Sequence, residues 1–268
     1  MKKMHNMVAL EESFVRFISE KNSQTIGKTR EAYLEIRERF DFSSKKYRSL
    51  CENVHSLHEM FYLEADDVKL FNLYDKLEYL HVLRHLSYSF EKKTFLTKIK
   101  HFLKTLITRD IKSSQEHLLY LLHEQKNVVP IVVDYGAGLG RLSFEIGRQF
   151  TNTQIYLIDI DSVVLRFAEF YFKENLLNVA TIKVDGNNLY PVLPDCNVCI
   201  CSEVLEHVNA PIQVFNNIVN SLQSGGLLYG DFEDHLEEFL HVSTDLSDIR
   251  NALKDHFDKV FDCIYRKK

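Results

Sequence analysis

The first 129 residues hold a single glycine, Gly27, and no proline. All four prolines (Pro130, Pro191, Pro194 and Pro211) and the other eight of nine glycines come later, from Pro130 and Gly136 onward. Long apolar runs are also missing. No stretch approaches the length a membrane-spanning helix needs. The opening M-K-K-M-H-N-M-V-A-L-E-E meets acids before any extended apolar segment, which fits neither a signal peptide nor an anchor. The five cysteines form no paired C-x-x-C framework, and Cys199 and Cys201 alternate along an apolar run where thiols behave as small apolar groups. That usage suits a reducing compartment, so a cytoplasmic protein without membrane attachment is expected. A basic excess is lacking too: the net charge of −5 disfavours nucleic acid as the partner.

A stretch without helix breakers, rich in Leu, Lys, Glu and Tyr, is helical territory. Helices are expected near Val8–Glu20, Lys28–Phe40, Lys45–Tyr62, Asp66–Phe90, Lys93–Thr108 and Ser113–Gln125. The fourth carries Leu70, Leu73, Leu77, Leu80, Leu83 and Leu86 at three- and four-residue steps, one apolar stripe that packs on other helices. The 92–112 segment is basic, and a solvated helix face accounts for it better than an anion contact does. Residues 1–125 are therefore expected to be an all-helical extension, a lid or substrate wall, ahead of an α/β domain over 126–268.

From Ile131 the pattern alternates strand and helix, the mark of a Rossmann-like, doubly wound, mostly parallel sheet. Strands are expected at Ile131–Asp134, Gln154–Ile158, Ala180–Val184, Asn197–Cys201 and Leu227–Tyr229, with a last one at Lys259–Tyr265. Helices are expected around Leu142–Phe150, Ser162–Asn175 (capped by Asp161 or Ser162), Ala210–Gln223 (stopped by Gly225-Gly226) and Asp245–His256. The first turn reads I-V-V-D-Y-G-A-G-L-G-R, with glycines at 136, 138 and 140. Glycines there permit positive φ and close approach of a ligand, and the next helix is expected to turn free N–H groups toward it. The spacing differs from the G-x-G-x-x-G of dinucleotide folds. Asp134 just ahead of the loop would repel a pyrophosphate and attract a cation.

Acids crown successive strands: Asp134, Asp159, Asp185 and Glu203. Ligands of open α/β sheets collect at these strand ends. Asp159 stands about 20 residues past the loop, where a carboxylate can accept from both ribose hydroxyls. On D-x-G-x-G-x-G and these acids the chain resembles the class I S-adenosylmethionine-dependent methyltransferases. The resemblance implies S-adenosylmethionine as cofactor, with Asp134, Gly136, Gly138, Gly140, Asp159, Ile160, Asp185, Gly186 and Ser202 binding it. Ile160 would then lie against the adenine face, and Asp185-Gly186 would meet the adenine edge.

The string Ser202-Glu203-Val204-Leu205-Glu206-His207-Val208 is similar to one in ubiquinone-biosynthesis O-methyltransferases and small-RNA 3′-end 2′-O-methyltransferases. Read as the start of a helix, it puts Glu203, Glu206 and His207 at i, i+3 and i+4, on one face. With His235, or failing that His241, these would form a divalent-cation site for Mg, Mn or Zn. Otherwise Glu203 and His207 cap a helix and line a pocket without metal. His207, His235 and Glu203 are the candidates for moving the acceptor's proton. Four features depart from the family pattern: Tyr135, Asn197, Gln223-Ser224 and a last strand with no partner after it. The reading is methyl transfer to a small molecule through an oxygen nucleophile. The alternatives are an RNA 3′-terminal 2′-O-methyltransferase and a non-catalytic interaction subunit.

Overall fold

Strand β1 (Ile131–Tyr135) is buried along Val132, Val133, Asp134 and Tyr135, so both of its faces are covered. That is the environment of a central parallel strand, and it is why Ile131, Val132 and Val133 are consecutive apolar residues that do not alternate with polar ones. The computed structural model describes residues 2–21, 23–31, 114–125, 129–186, 188–233 and 245–268. The chain divides into two units, Met1–Lys92 and Lys93–Lys268.

In the first unit, α1 spans Lys2–Lys21, longer than the expected Val8–Glu20, and residues 26–31 are helical. Phe14, Val15 and Ile18 are buried. Ser19 Oγ donates to the Gln24 carbonyl at 2.6 Å and closes the turn between these helices. The helices expected over 45–62, 66–90 and 93–108, most of 28–40, and the basic 92–112 segment lie outside the described residues.

The second unit is built on one seven-stranded sheet of order β3-β2-β1-β4-β5-β7-β6. Its other strands are β2 (Gln154–Ile160), β3 (Asn178–Val184), β4 (Cys196–Cys201), β5 (Leu222–Gly230), β6 (Phe257–Phe261) and β7 (Ile264–Lys267). The first five run parallel; β7 pairs antiparallel with both β5 and β6. Helices α2 (Ser114–Glu124), α3 (Arg141–Gln149) and α4 (Val163–Glu174) supply Leu118, Leu122, Phe144, Leu165 and Phe172 to one core, with Val132, Val198 and Leu227 of the strands. Helices α5 (Pro211–Ser221) and α6 (Ser247–His256) supply Val214, Phe215, Ile218, Ile249 and Leu253 to the other, with Val133, Cys199 and Leu228. Alternate residues of each central strand thus feed opposite cores, as a pleated strand requires. Helix α2 also reaches the end of the sheet: His117 stacks on Phe261 with ring centroids 4.2 Å apart, and Ser114 Oγ donates to Asp262 at 3.1 Å.

The structure corrects three expectations. The last expected strand, Lys259–Tyr265, is two strands, β6 and β7, joined through Asp262 and Cys263. The terminal hairpin is therefore present. Helix α5 ends at Ser221, not at the glycine pair, and β5 starts at Leu222. Gly225, at φ +78°, and Gly226 instead serve the register shift between β4 and β5. A Cβ on Gly226 would lie 2.9 Å from the Gln223 carbonyl and 3.0 Å from that of Asn197. The end of α5 is held by Lys267, whose ammonium donates to the carbonyls of Val219 and Leu222, as cations do at helix C-termini. Finally, β2 runs to Ile160, so Asp159 lies inside the strand. Of the two expected caps, Ser162 accepts from Leu165 N–H at 3.2 Å, whereas Asp161 pairs with Arg166 and Lys183.

Asn197 has a structural purpose here. Its Oδ1 accepts from Ile131 N–H at 2.8 Å and its Nδ2 donates to the Val129 carbonyl at 3.1 Å, stapling the entry of β1 to β4. A carboxylate can do the first and not the second. Asn197→Asp should therefore lower stability by about 1–2 kcal/mol in urea denaturation, with an unchanged m-value.

Candidate functional site

The carboxyl ends of β1, β2, β3 and β4 bring the sequence candidates to one edge of the sheet. Gly136, Gly138 and Gly140 adopt φ of +68°, +52° and +61°, which an L side chain rarely tolerates. At Gly136 space is limiting as well. A Cβ there would fall 2.3 Å from Val204 Cγ2, so the turn after β4 rests directly on the glycine loop.

The loop is tied to β2. The N–H groups of Gly136 and Ala137 donate to the Ile158 carbonyl at 2.8 and 3.1 Å. Gly138 N–H donates to Asp159 Oδ2 at 2.7 Å, and Ile160 N–H to Asp159 Oδ1 at 2.7 Å. Gly140 N–H donates to the Ala137 carbonyl at 2.7 Å. The amides of residues 136, 137, 138 and 140 are thus all donated inside the protein. These loop amides are a different set from the N–H groups of the helix that follows. A diphosphate cradle needs such amides pointing outward. Here they hold a carboxylate and two carbonyls, leaving acceptor lone pairs on Asp159 for a ligand's hydroxyl groups.

Two of the rim acids are withdrawn from water. Asp134 is 5% exposed, and Ser143 Oγ from α3 donates to its Oδ2 at 2.5 Å. Burial pushes its carboxyl up to about 7; the Ser143 hydrogen bond opposes the rise and the neighbouring Asp159 adds to it. Asp159 is also raised, by burial first, while the Gly138 and Ile160 N–H groups pull it back. Tyr135 is buried and its phenol is raised, by burial first and then by nearby Cys201. Ile160 lies half-buried at the end of β2 beside this pair. Asp185, just past β3, is exposed and accepts from Asn188 N–H at 3.1 Å in a local turn. Gly186 is exposed, and a Cβ on it would meet nothing within 4 Å. Ser202, the first residue past β4, is half-buried.

The string after β4 does not form the expected helical face. Glu203 takes φ +58°, a 3₁₀ turn covers Leu205–His207, and the helix begins only at Pro211. Glu203 and His207 are exposed, while Glu206 is 3% exposed and its Oε2 has no hydrogen-bond partner. Its other oxygen lies 4.0 Å from His207 Nε2. The three side chains therefore share no face, and among the described residues no cluster of His, Cys, Asp and Glu could hold a metal ion. His235 and His241 lie outside the described residues. The i, i+3, i+4 reading failed because a left-handed residue at the head of the string breaks helical spacing at its first position.

Sequence reasoning missed two residues of the site. Ser143 left one trace, a small polar residue inside an apolar helix face nine positions after Asp134. Val204 left none, since its contact with Gly136 depends on how β4 pairs with β1.

Residues 133–228 match the model of a methyltransferase domain, and the match runs from β1 through most of β5. No curated protein matches the chain in sequence. Among solved structures, an S-adenosylmethionine-dependent methyltransferase from Clostridium acetobutylicum is 19% identical, with a TM-score of 0.38, covering 50% of this chain and 56% of that one. Human N-acetylserotonin methyltransferase in complex with SAM is 16% identical at a TM-score of 0.37, covering 52% and 47%. Precorrin-6y C5,15-methyltransferase from Geobacter metallireducens is 18% identical at 0.39, covering 55% and 74%. The matched part is thus about half the length of the first two. The domain match carries the assignment, not these likenesses. On that match, with the strand order and the glycine loop in place, residues 133–228 are similar to a methyltransferase domain.

Proposed function

We propose that this protein transfers the methyl group of S-adenosylmethionine to a small-molecule acceptor through an oxygen nucleophile. One observation carries the reading of the donor. The glycine loop spends the amides of residues 136, 137, 138 and 140 internally and is clamped by Asp159, so this part of the rim offers carboxylate acceptors. Such a rim suits a ligand with hydroxyls and a positive charge, and repels an anionic dinucleotide. The donor, when bound, supplies an activated methyl on a sulfonium whose departure needs no acid.

The protein's part is then alignment and proton removal. Asp159 would receive the ribose hydroxyls, with Ile160 against the adenine and the Asp185-Gly186 turn at its edge. The loop at Gly136, Gly138 and Gly140, with Asp134 and Ser202, would border the methionine end. His207, exposed beside Glu206, is the favoured group to take the acceptor's proton; Glu203 and His235 are the others. Glu203, Glu206 and His207 do not fit a divalent cation in this geometry, so no step is assigned to one.

The RNA-terminal alternative leaned on the E-x-x-E-H string and the basic 92–112 segment. The string lacks the expected geometry, and the net charge of −5 counts against it. The non-catalytic alternative leaned on Asn197 and a missing hairpin. Asn197 staples β1, and the hairpin is present.

Asp159→Ala removes both the ribose acceptor and the loop clamp. It should weaken S-adenosylhomocysteine binding by about 3 kcal/mol, roughly a hundredfold, in titration calorimetry. Unaltered affinity would sink the reading. His207→Gln should leave that affinity unchanged while slowing radiolabelled methyl transfer by about 10²–10⁴. Salt-insensitive behaviour toward single-stranded RNA is expected, whereas tight, steeply salt-dependent binding would favour the RNA acceptor.

A further inference from the structure

This inference rests on the adenosyl-sulfonium reading above. Asp134 stands at the root of the glycine loop, one residue before the end of β1, with its carboxylate almost closed off from water. The groups that face it are the Ser143 hydroxyl from α3 and the Asp159 carboxylate on β2, while the thiols of Cys199 and Cys201 on β4 lie on the other face of the sheet. None of these is a cation. Ionising Asp134 therefore gains one hydrogen bond, from Ser143, against burial and the repulsion of Asp159. The balance holds its carboxyl near neutrality, at about 7.

With the methionine end at the glycine loop, as proposed above, the methyl donor and its product would differ near this group by one formal charge. The donor's sulfur is a sulfonium, which no pH change can neutralise; the product's is a neutral thioether. The adenosine and the amino-acid end are common to both. A carboxylate in a poorly hydrated site feels that difference strongly.

We propose that Asp134 is the residue by which this site tells the charged donor from its neutral product, and that donor binding expels a proton from it into solution. The direction follows from linkage. Below about pH 7 the free protein holds the proton, and the donor must displace it to gain the ion pair, so donor affinity falls as the pH drops. Above that pH there is no proton to displace and donor affinity levels off. Product affinity stays nearly flat. After transfer the sulfonium charge is gone, Asp134 takes back a proton, and the hold on the product weakens relative to the donor.

The test is calorimetry of S-adenosylmethionine and S-adenosylhomocysteine on the full chain. Titrations run at about pH 6 and about pH 7.5, in buffers of different ionisation heat, which report protons released. Donor affinity should rise roughly fivefold to tenfold between these pH values, with close to one proton released at the lower, while product affinity changes less than about twofold. In Asp134→Asn the donor's pH dependence and proton release should vanish and its preference over product should shrink. Ser143→Ala, which keeps the carboxyl and removes its hydrogen bond, should move the midpoint to higher pH. Equal pH dependence for both ligands, or persistence of the donor's in Asp134→Asn, overturns the proposal. If both nucleosides bind without any pH-dependent preference, the inference fails and the donor reading stands; if neither binds at either pH, both fail.

Discussion

One carboxylate holds the site together. Asp159, near the end of β2, receives Gly138 N–H on one oxygen and Ile160 N–H on the other. The first bond fixes the glycine loop, and the second fixes the backbone where β2 leaves the sheet. Neither strand end would be set without it, because a loop with three glycines at positive φ has little conformational preference of its own. The bonds are charge-assisted and about twice as strong as neutral ones. They offset part of the cost of holding an acid in a largely dry place.

The same economy explains why the loop favours one class of ligand. The amides of residues 136, 137, 138 and 140 are occupied before anything binds, so the ligand meets a floor already held in place. Preorganisation of this kind lowers the ordering cost of association. Val204 completes the floor from the opposite side by packing where a Cβ on Gly136 would go. Thus β4, through the turn that follows it, decides how close the loop can sit to its neighbour.

Much of this could be read from the sequence. The apolar run into Asp134, the alternate glycines and the later Asp159 mark strand, turn and strand by residue type alone, and β1 and β2 lie there. The terminal hairpin could not be read, because Asp262-Cys263 lacks the Asn-Gly or Asp-Gly chemistry that announces a two-residue turn. The glycine pair at 225–226 looked like a helix stop; its use is the close approach of β5 to β4, a fact of pairing and not of composition. The E-x-x-E-H string misled for a related reason. Its spacing suits a helix, but Glu203 enters the left-handed region and Glu206 turns inward while His207 turns out. The Ser143 bond to Asp134 spans nine residues between a strand and a helix, a reach no local pattern encodes.

The antiparallel insertion of β7 has a further effect at the margin of the sheet. It covers the outer side of β5 and makes β6 the last strand, with exposed Asp258 and Lys259 side by side. At the opposite margin β3 displays exposed Lys183, paired with Asp161. Charges at both borders discourage another polypeptide from docking edge-on and extending the ladder, the commonest route by which β-rich surfaces polymerise.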